Sequence, residues 1–396
     1  MGSYITLGVG ELELDWGKNF GFRDYSKLFL PSDKKLINYY YADDFQDLRP
    51  GYSRPLNKVR KRLDLLGYSL FDLKEHFDNH NEVYPDYLDH PEIDFDTIKS
   101  IFSKINISDY RNKKEDGDYD LGEYVMENIF QNEVFKELAK QIDIKNKDIG
   151  SYFENFDPLI TLRLLIENPN NSDINLEWRT QDVIDGGWTS DEEIYVGLEA
   201  TDKFLIVTEG SSDTYIIRKS LEMLHPDLLD FFDFVDMEEN YPFTGTGNLY
   251  RFCQGLSSIK LQNKTLVIFD NDTEGVDKFN KTSNLDLPKS MKIMKLPELK
   301  EFESFLTVGP SGNSHENING KAVAIECFLD FAGEDPKVRW TNYAKEMNSY
   351  QGSLERKEIF IKNFKKIKNE KESYDFTRLK ALIDEIIKNC TQQTAK

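Results

Sequence analysis

Cysteine and histidine are scarce in this chain of 396 residues, with 3 Cys and 5 His. Cys253, Cys327 and Cys390 stand far apart, without the close pairs that hold zinc, and their free-thiol pattern implies a reducing compartment. No apolar run is long enough to span a bilayer, and the first residues lack the basic and hydrophobic regions of a secretory signal. The expectation is a cytoplasmic protein with no membrane partner. A phosphate-binding loop is also missing: Gly320-Lys321-Ala322 looks like the end of a Walker A motif, but the earlier glycine falls on His315 and Ala322 replaces Ser or Thr. Gly245-Thr246-Gly247 is too short for a dinucleotide fingerprint and reads as a tight turn. Positive charge is in short supply as well. The formal net charge is -21, made up of -17 over residues 1–200, -8 over 201–330 and +4 over 331–396, where 14 Lys plus Arg face 10 Asp plus Glu. Nonspecific attraction to phosphate is therefore weak over most of the chain.

What the chain does have is acid placed at the ends of hydrophobic runs. Phe204-Leu-Ile-Val-Thr208 leads into Glu209-Gly-Ser-Ser-Asp213, and Thr265-Leu-Val-Ile-Phe269 leads into Asp270-Asn-Asp272. Helical spacing follows each: Ile216, Ile217, Ser220, Leu221 and Leu224 after the first, and a shorter pattern over Gly275 to Lys281 after the second. Between them come a short strand at Phe232 to Asp236, a turn at Thr244 to Asn248 and a helix expected from Leu249 to Ser258. Met291 to Lys295 supplies a fourth strand. This repeated βα order predicts a parallel sheet, and in such sheets function collects beyond the carboxyl ends of the strands. Four acids converging there would repel one another unless a hard divalent cation neutralised them.

Other readings of the same residues are weaker. Asp270 to Gly275 begins like a calcium-binding EF-hand loop, but Lys281 occupies the twelfth position, where a glutamate is required. Haloacid-dehalogenase phosphatases place Asp-x-Asp after a strand with threonine at the fifth motif position; here that position is Glu274, and Glu209 is left without a role. Taken alone, Glu209 and Asp213 could simply favour a helix start. A second acid-terminated strand in the right order favours a metal site.

The succession of strand, Glu-Gly-x-x-Asp, small-residue turn, strand and Asp-x-Asp resembles the Toprim domain of topoisomerases, bacterial primases and OLD-family nucleases. Ile318 to Leu329 resembles the additional acidic helix of OLD-type members, which adds Glu326. The opening Met1-Gly-Ser-Tyr-Ile-Thr-Leu-Gly-Val-Gly10 resembles the HEPN/Toprim-associated amino-terminal domain. The resemblance implies an α/β fold: a Toprim domain, meaning a Rossmann-like parallel sheet flanked by helices, over residues 201–330, an α+β amino-terminal domain over 1–200 and a helical carboxyl-terminal segment over 331–396. It further implies a nuclease, dependent on a pair of Mg2+ or Mn2+ ions, acting in prokaryotic antiviral defence or nucleic-acid processing. Glu209, Asp270 and Asp272 would hold metal, with Asp213 and Glu326 completing a second position, and Glu209 could instead act as a general acid or base. No Arg-x(4 to 6)-His motif of HEPN ribonucleases is read around the five histidines, so the amino-terminal domain is not expected to cut nucleic acid itself.

The flanking regions say more about architecture than chemistry. Ile5, Leu7 and Val9, then Leu12, Leu14 and Trp16, predict a hairpin around Gly8 and Gly10. Leu56, Val59, Leu63 and Leu66 predict a helix stopping at Gly67. Further helices are expected over 122–142 and 150–166, and the Asp-rich stretch 86–96 reads as an exposed loop. Near the carboxyl end, Lys362, Lys365, Lys366 and Lys368 are candidate phosphate contacts for a DNA or RNA substrate. They fit equally well as the solvated face of a helix whose Ile359, Phe360, Phe364 and Ile367 turn inward. A protein partner or homo-oligomer is compatible with the sequence. The alternative to a nuclease is a noncatalytic acidic subunit that binds a basic partner or mimics nucleic acid, for which acids need only be spread over the surface.

Overall fold

The structure is a computed structural model; it describes residues 5–16, 22–40, 46–83, 94–109, 152, 156–235, 245–259, 263–368 and 373–392. The chain divides into two compact units, residues 1–198 and 199–396.

The first unit is built on an antiparallel sheet of β1 (Ile5–Val9), β2 (Leu12–Trp16), β3 (Lys34–Tyr40), β4 (Gln46–Pro55) and β5 (Asn175–Trp178), in the order β2-β1-β5-β4-β3. The expected hairpin is present, and Gly10 turns it with a φ of 58°. Helix α1 (Leu56–Leu65) starts directly after Pro55 and ends before Gly67, whose φ is 96°. Helices α2 (Leu73–Val83), α3 (Phe95–Phe102), α4 (Pro158–Leu165) and α5 (Gln181–Asp185) complete the described α-helices of this unit. Asp94 caps α3 by accepting from the Thr97 amide at 2.7 Å, so the last acids of the Asp-rich stretch open a helix. The remainder of that stretch and the helix expected over 122–142 lie outside the described residues. The expectation of one helix over 150–166 is corrected: Phe156 and Asp157 are not helical, because Asp157 caps α4 and Pro158 occupies its first turn.

The second unit contains the parallel sheet that the acid-terminated strands predicted. Strands β6 (Phe204–Val207), β7 (Phe232–Phe234), β8 (Lys264–Phe269) and β10 (Met291–Lys295) pair in the order β10-β8-β6-β7, every pairing parallel. Helices α6 (Ser211–Leu224), α7 (Thr246–Ser258) and α8 (Thr273–Ser283) follow their strands. Val207, Val267 and Phe269 on the sheet pack with Leu249 and Cys253 of α7 and Phe279 of α8. The opposite-facing Ile206 and Leu266 are also buried. Burial on both faces is why these strands are continuous apolar runs. α7 begins at Thr246, three residues before the expected Leu249, since Gly245 at φ 89° turns the chain into it.

Two expectations for the carboxyl-terminal part are corrected. The segment 322–329 is not a helix: Ala322–Val323 forms strand β13, antiparallel to β9 (Asn271–Asp272), and only Ile325–Phe328 makes a single 3-10 turn. Its apolar spacing suited a helix, but Ile325, Cys327, Phe328 and Leu329 are all buried, so no polar face exists for a helix to show. Nor is 331–396 purely helical. Strands β14 (Val338–Ala344) and β15 (Ser349–Leu354) form a hairpin. β14 pairs in parallel with β11 (Phe305–Gly309), which pairs with β12 (Gly312–Glu316), giving a sheet ordered β12-β11-β14-β15. Residue 330 thus falls between strands of one sheet. Helices α9 (Lys357–Lys366) and α10 (Thr377–Thr391) follow, and α10 packs on α6 and β10.

Candidate functional site

The strand order reverses between β6 and β8. The chain steps from β6 to β7 on one side, then returns to place β8 on the other, which opens a crevice at the carboxyl ends of β6 and β8. Val207 stands opposite Val267 in the parallel register, with adjacent strands about 4.8 Å apart. Glu209 and Asp270, sixty-one positions apart in sequence, therefore meet at the same strand ends.

Hydrogen bonds fix the arrangement. One Glu209 carboxylate oxygen accepts from the Asp270 amide at 3.0 Å and the other from the Thr246 hydroxyl at 2.6 Å, while the Gly245 amide donates to the Glu209 carbonyl at 3.0 Å. The Gly-Thr-Gly turn is thus a wall of the crevice. Asp272 caps α8 through the Gly275 amide at 2.7 Å, and its second oxygen accepts from the Gln351 side chain. A side chain at Gly275 would overlap the Asp270 carbonyl oxygen, so only glycine lets α8 start this close. The early cap also disposes of the EF-hand reading, since helix begins at the fourth position of the supposed loop.

Glu326 arrives by a different route from the one its sequence suggested. Because β13 pairs with β9, Ala322 opposite Asp272 and Val323 opposite Asn271, the following turn delivers Glu326 to the cluster with only 4% exposure. There it meets the Lys357 ammonium at 3.2 Å.

Burial and mutual repulsion act together on these acids. Burial, opposed by the Thr246 and Asp270 hydrogen bonds and aided by Asp272 and Glu274, raises Glu209 to about 7. Burial, then the charges of Glu326 and Glu209, raises Asp213 to about 7. Asp270 is pushed well above the carboxylate range by burial and then by Asp213, Glu209, Asp272 and Glu326. Burial also raises Asp272, against its hydrogen bonds to Gly275 and Gln351. Asn271, between the two aspartates, is fully buried with neither side-chain amide atom hydrogen-bonded.

All five acids singled out in the sequence are therefore electrostatic neighbours. Among the described residues, no group of three or more His, Cys, Asp or Glu side chains is placed so that it could hold a metal ion. The donors present are carboxylate oxygens alone, and each oxygen of Glu209 that accepts one hydrogen bond keeps a further lone pair. Such a set suits a hard divalent cation. Sequence reasoning named the turn that holds Thr246 without giving its hydroxyl a role, and it missed Gln351 and Lys357, which lie on other elements and carry no motif.

The four lysines sit apart from this cluster's hydrogen bonds. Lys362, Lys365 and Lys366 are exposed on α9 and Lys368 is exposed just beyond it, while Phe360 and Phe364 are buried and Ile359 and Ile367 half-buried. Lys365 lies over the Tyr215 ring at 5.1 Å, and Lys219 donates to the Phe364 and Lys365 carbonyls. The expectation that no histidine has the HEPN ribonuclease spacing is corrected: Arg218 and His225 have it, but they lie in the second unit, Arg218 pairs with Glu222 and His225 lies 3.5 Å from Asp384.

Fold and site together describe a mixed α/β protein whose parallel sheet, flanked by helices, ends in a crowded acidic crevice. Residues 1–202 match the family model HEPN/Toprim N-terminal domain 1, and the chain belongs to that family. No curated protein and no solved structure matches it. Among the described residues no helix is long and apolar enough to cross a membrane.

Proposed function

We propose that residues 199–396 form a Toprim-type nuclease that cleaves phosphodiester bonds of nucleic acid with Mg2+ or Mn2+. The observation that carries this reading is the convergence of Glu209, Asp213, Asp270, Asp272 and Glu326 at the switch point of a parallel sheet, with protonation raised by burial and by one another's charge. Acids perturbed by burial and by one another's charge are the arrangement that functional sites use to hold cations and protons. The family of the amino-terminal half is consistent with a nuclease-like protein.

Glu209, Asp270 and Asp272 would hold the metal, and Asp213 with Glu326 would complete a second position. A bound ion, or a pair, supplies Lewis-acid stabilisation and a water of lowered pKa. The protein's own part is positional. Thr246 and the Asp270 amide hold the Glu209 carboxylate, Gln351 and the α8 amino terminus hold Asp272, and Lys357 holds Glu326 while keeping an ammonium beside the crevice. Glu209, raised to about 7, is also suited to carry a proton near neutral pH.

A noncatalytic acidic subunit needs its charge on the surface. Glu326 at 4% exposure is hidden from any partner, which favours the catalytic reading. The test is cleavage of labelled single-stranded and duplex DNA and RNA with Mg2+, Mn2+ or chelator. Asp270→Asn and Asp272→Asn should each abolish metal-dependent cutting, and wild-type levels of cutting by both variants would overturn the assignment.

A further inference from the structure

We propose that the β14–β15 hairpin is a stacking platform for single-stranded nucleic acid, which it leads toward the acidic crevice. The proposal deepens the nuclease reading by naming its substrate class.

Trp340 and Tyr343 are three residues apart, a spacing that in a regular strand puts side chains on opposite faces. The register between Trp340 and Asn342 is shifted: Trp340 stands opposite Gly352, whereas Tyr343 stands opposite Tyr350. One extra residue, Thr341, thereby returns both rings to the face that Tyr350 occupies, which is the re-aiming a bulge performs. The rings form a connected strip, with Trp340 6.1 Å from Tyr350 and Tyr350 5.0 Å from Tyr343. Gly352 is the seat of this strip: a Cβ there would stand 2.8 Å from the Trp340 ring. Tyr343 and Tyr350 remain 45% and 47% exposed, an unusual outlay of aromatic surface in a strand pair that could have buried it.

The occupant follows from charge and position. Residues 337–356 carry Lys337, Arg339, Lys345 and Arg356 against Glu346 and Glu355, in a chain of net charge -21. Arg339 and Arg356 are paired with Glu355 and Glu334 at the surface, where a phosphate can replace a carboxylate at little cost. Aromatic faces beside cations suit unpaired bases on a phosphate backbone and not a duplex, whose bases are already stacked. The backbone of the hairpin also contacts the segments that carry Asp272. The Gly352 amide donates to the Lys321 carbonyl at 3.2 Å, the Lys321 backbone forms an isolated β-bridge with Asp272, and the Tyr350 carbonyl accepts from the Thr273 hydroxyl at 2.9 Å.

The test is fluorescence anisotropy of labelled single-stranded DNA, single-stranded RNA and duplex DNA with the full chain in chelator, so that no cutting intervenes. Single strands should bind more tightly than duplex. Tyr343→Ala and Tyr350→Ala should each weaken single-strand binding by about fivefold or more, the loss expected per stacked base, while Tyr343→Phe and Tyr350→Phe retain it. Thermal melting confirms that each variant is folded. Equal binding by the alanine variants, or preference for duplex, overturns the platform. Chelator separates the two ideas: ring-dependent binding with no cleavage under any metal sinks the nuclease reading and keeps the platform, whereas metal-dependent cleavage with ring-independent binding does the reverse.

Discussion

Replacing Asp270 with asparagine should stabilise the metal-free protein at pH 8, although the residue is buried. In the unfolded chain Asp270 is ionised at that pH, and on folding it must either stay charged among Asp213, Glu209, Asp272 and Glu326 or take up a proton; both cost free energy. The neighbours give the scale. Glu209 and Asp213, each raised to about 7, correspond to about 3–4 kcal/mol apiece relative to ordinary carboxylates, and because they interact the two figures do not add. The sign is that of a raised acid: the folded state holds more protons than the unfolded between about pH 4 and pH 7, so stability is greatest below that window and is lost as pH rises through it. Asparagine removes one charge at the cost of placing an amide N–H2 in the crevice, about 1 kcal/mol. The net gain is about 1–3 kcal/mol, or an increase in Tm of about 2–8 °C for a unit of this size.

Thermal unfolding of wild type and Asp270→Asn at pH 5 and pH 8, each with chelator and with Mg2+, reads this out. The variant should melt higher than wild type at pH 8 in chelator and lose that advantage at pH 5. Mg2+ should raise the wild-type Tm and leave the variant's nearly unchanged. If Asp270→Asn melts lower than wild type at pH 8 in chelator by the margin seen at pH 5, the acids are not in mutual conflict and the reasoning fails.

Lys357→Met should destabilise by about 1–3 kcal/mol, toward the low end of a broken buried pair because the lysine is partly exposed; chemical denaturation should show Glu326→Gln restoring most of the loss in the double variant. Gly275→Ala should cost about 2–4 kcal/mol in the same measurement, since its methyl overlaps the Asp270 carbonyl, and a neutral result would mean that α8 can retreat freely. Changing Lys362, Lys365, Lys366 and Lys368 to glutamine should flatten the salt dependence of DNA binding by close to one unit for each phosphate that is no longer neutralised; an unchanged slope would leave these lysines as the solvated face of α9.

The parallel sheet was legible because both faces of its strands are buried, which writes Phe204 to Val207 and Thr265 to Phe269 as unbroken apolar runs. The acids were legible because strand ends at a switch point put Glu209 and Asp270 side by side whatever the length of chain between them. Glu326 was expected on a helix that does not form: its apolar neighbours fit helical spacing, but in a segment buried on all sides that spacing carries no information, and β13 is too short to announce itself. The β14–β15 hairpin was missed because Arg339, Trp340, Thr341, Asn342 and Tyr343 do not alternate; the bulge at Thr341 breaks the period-two pattern by which strands are recognised.

The hidden part of the second unit also completes its site. Gln351 on β15 holds Asp272, and Lys357 at the start of α9 holds Glu326, so two of the five acids are oriented by residues that follow position 330. Both contacts depend on β14 pairing with β11, which brings the hairpin beside the sheet, and on β13 pairing with β9. The Glu-Gly-x-x-Asp and Asp-x-Asp signals specify where negative charge gathers, but a gathering of buried acids is costly and unoriented by itself. The polar and cationic groups that orient and offset it can come from any element that passes close by, with no required spacing in the sequence. Their positions are set by tertiary pairing alone, which is why the gathering of acids could be read from the sequence and the residues that orient them could be read only from the fold.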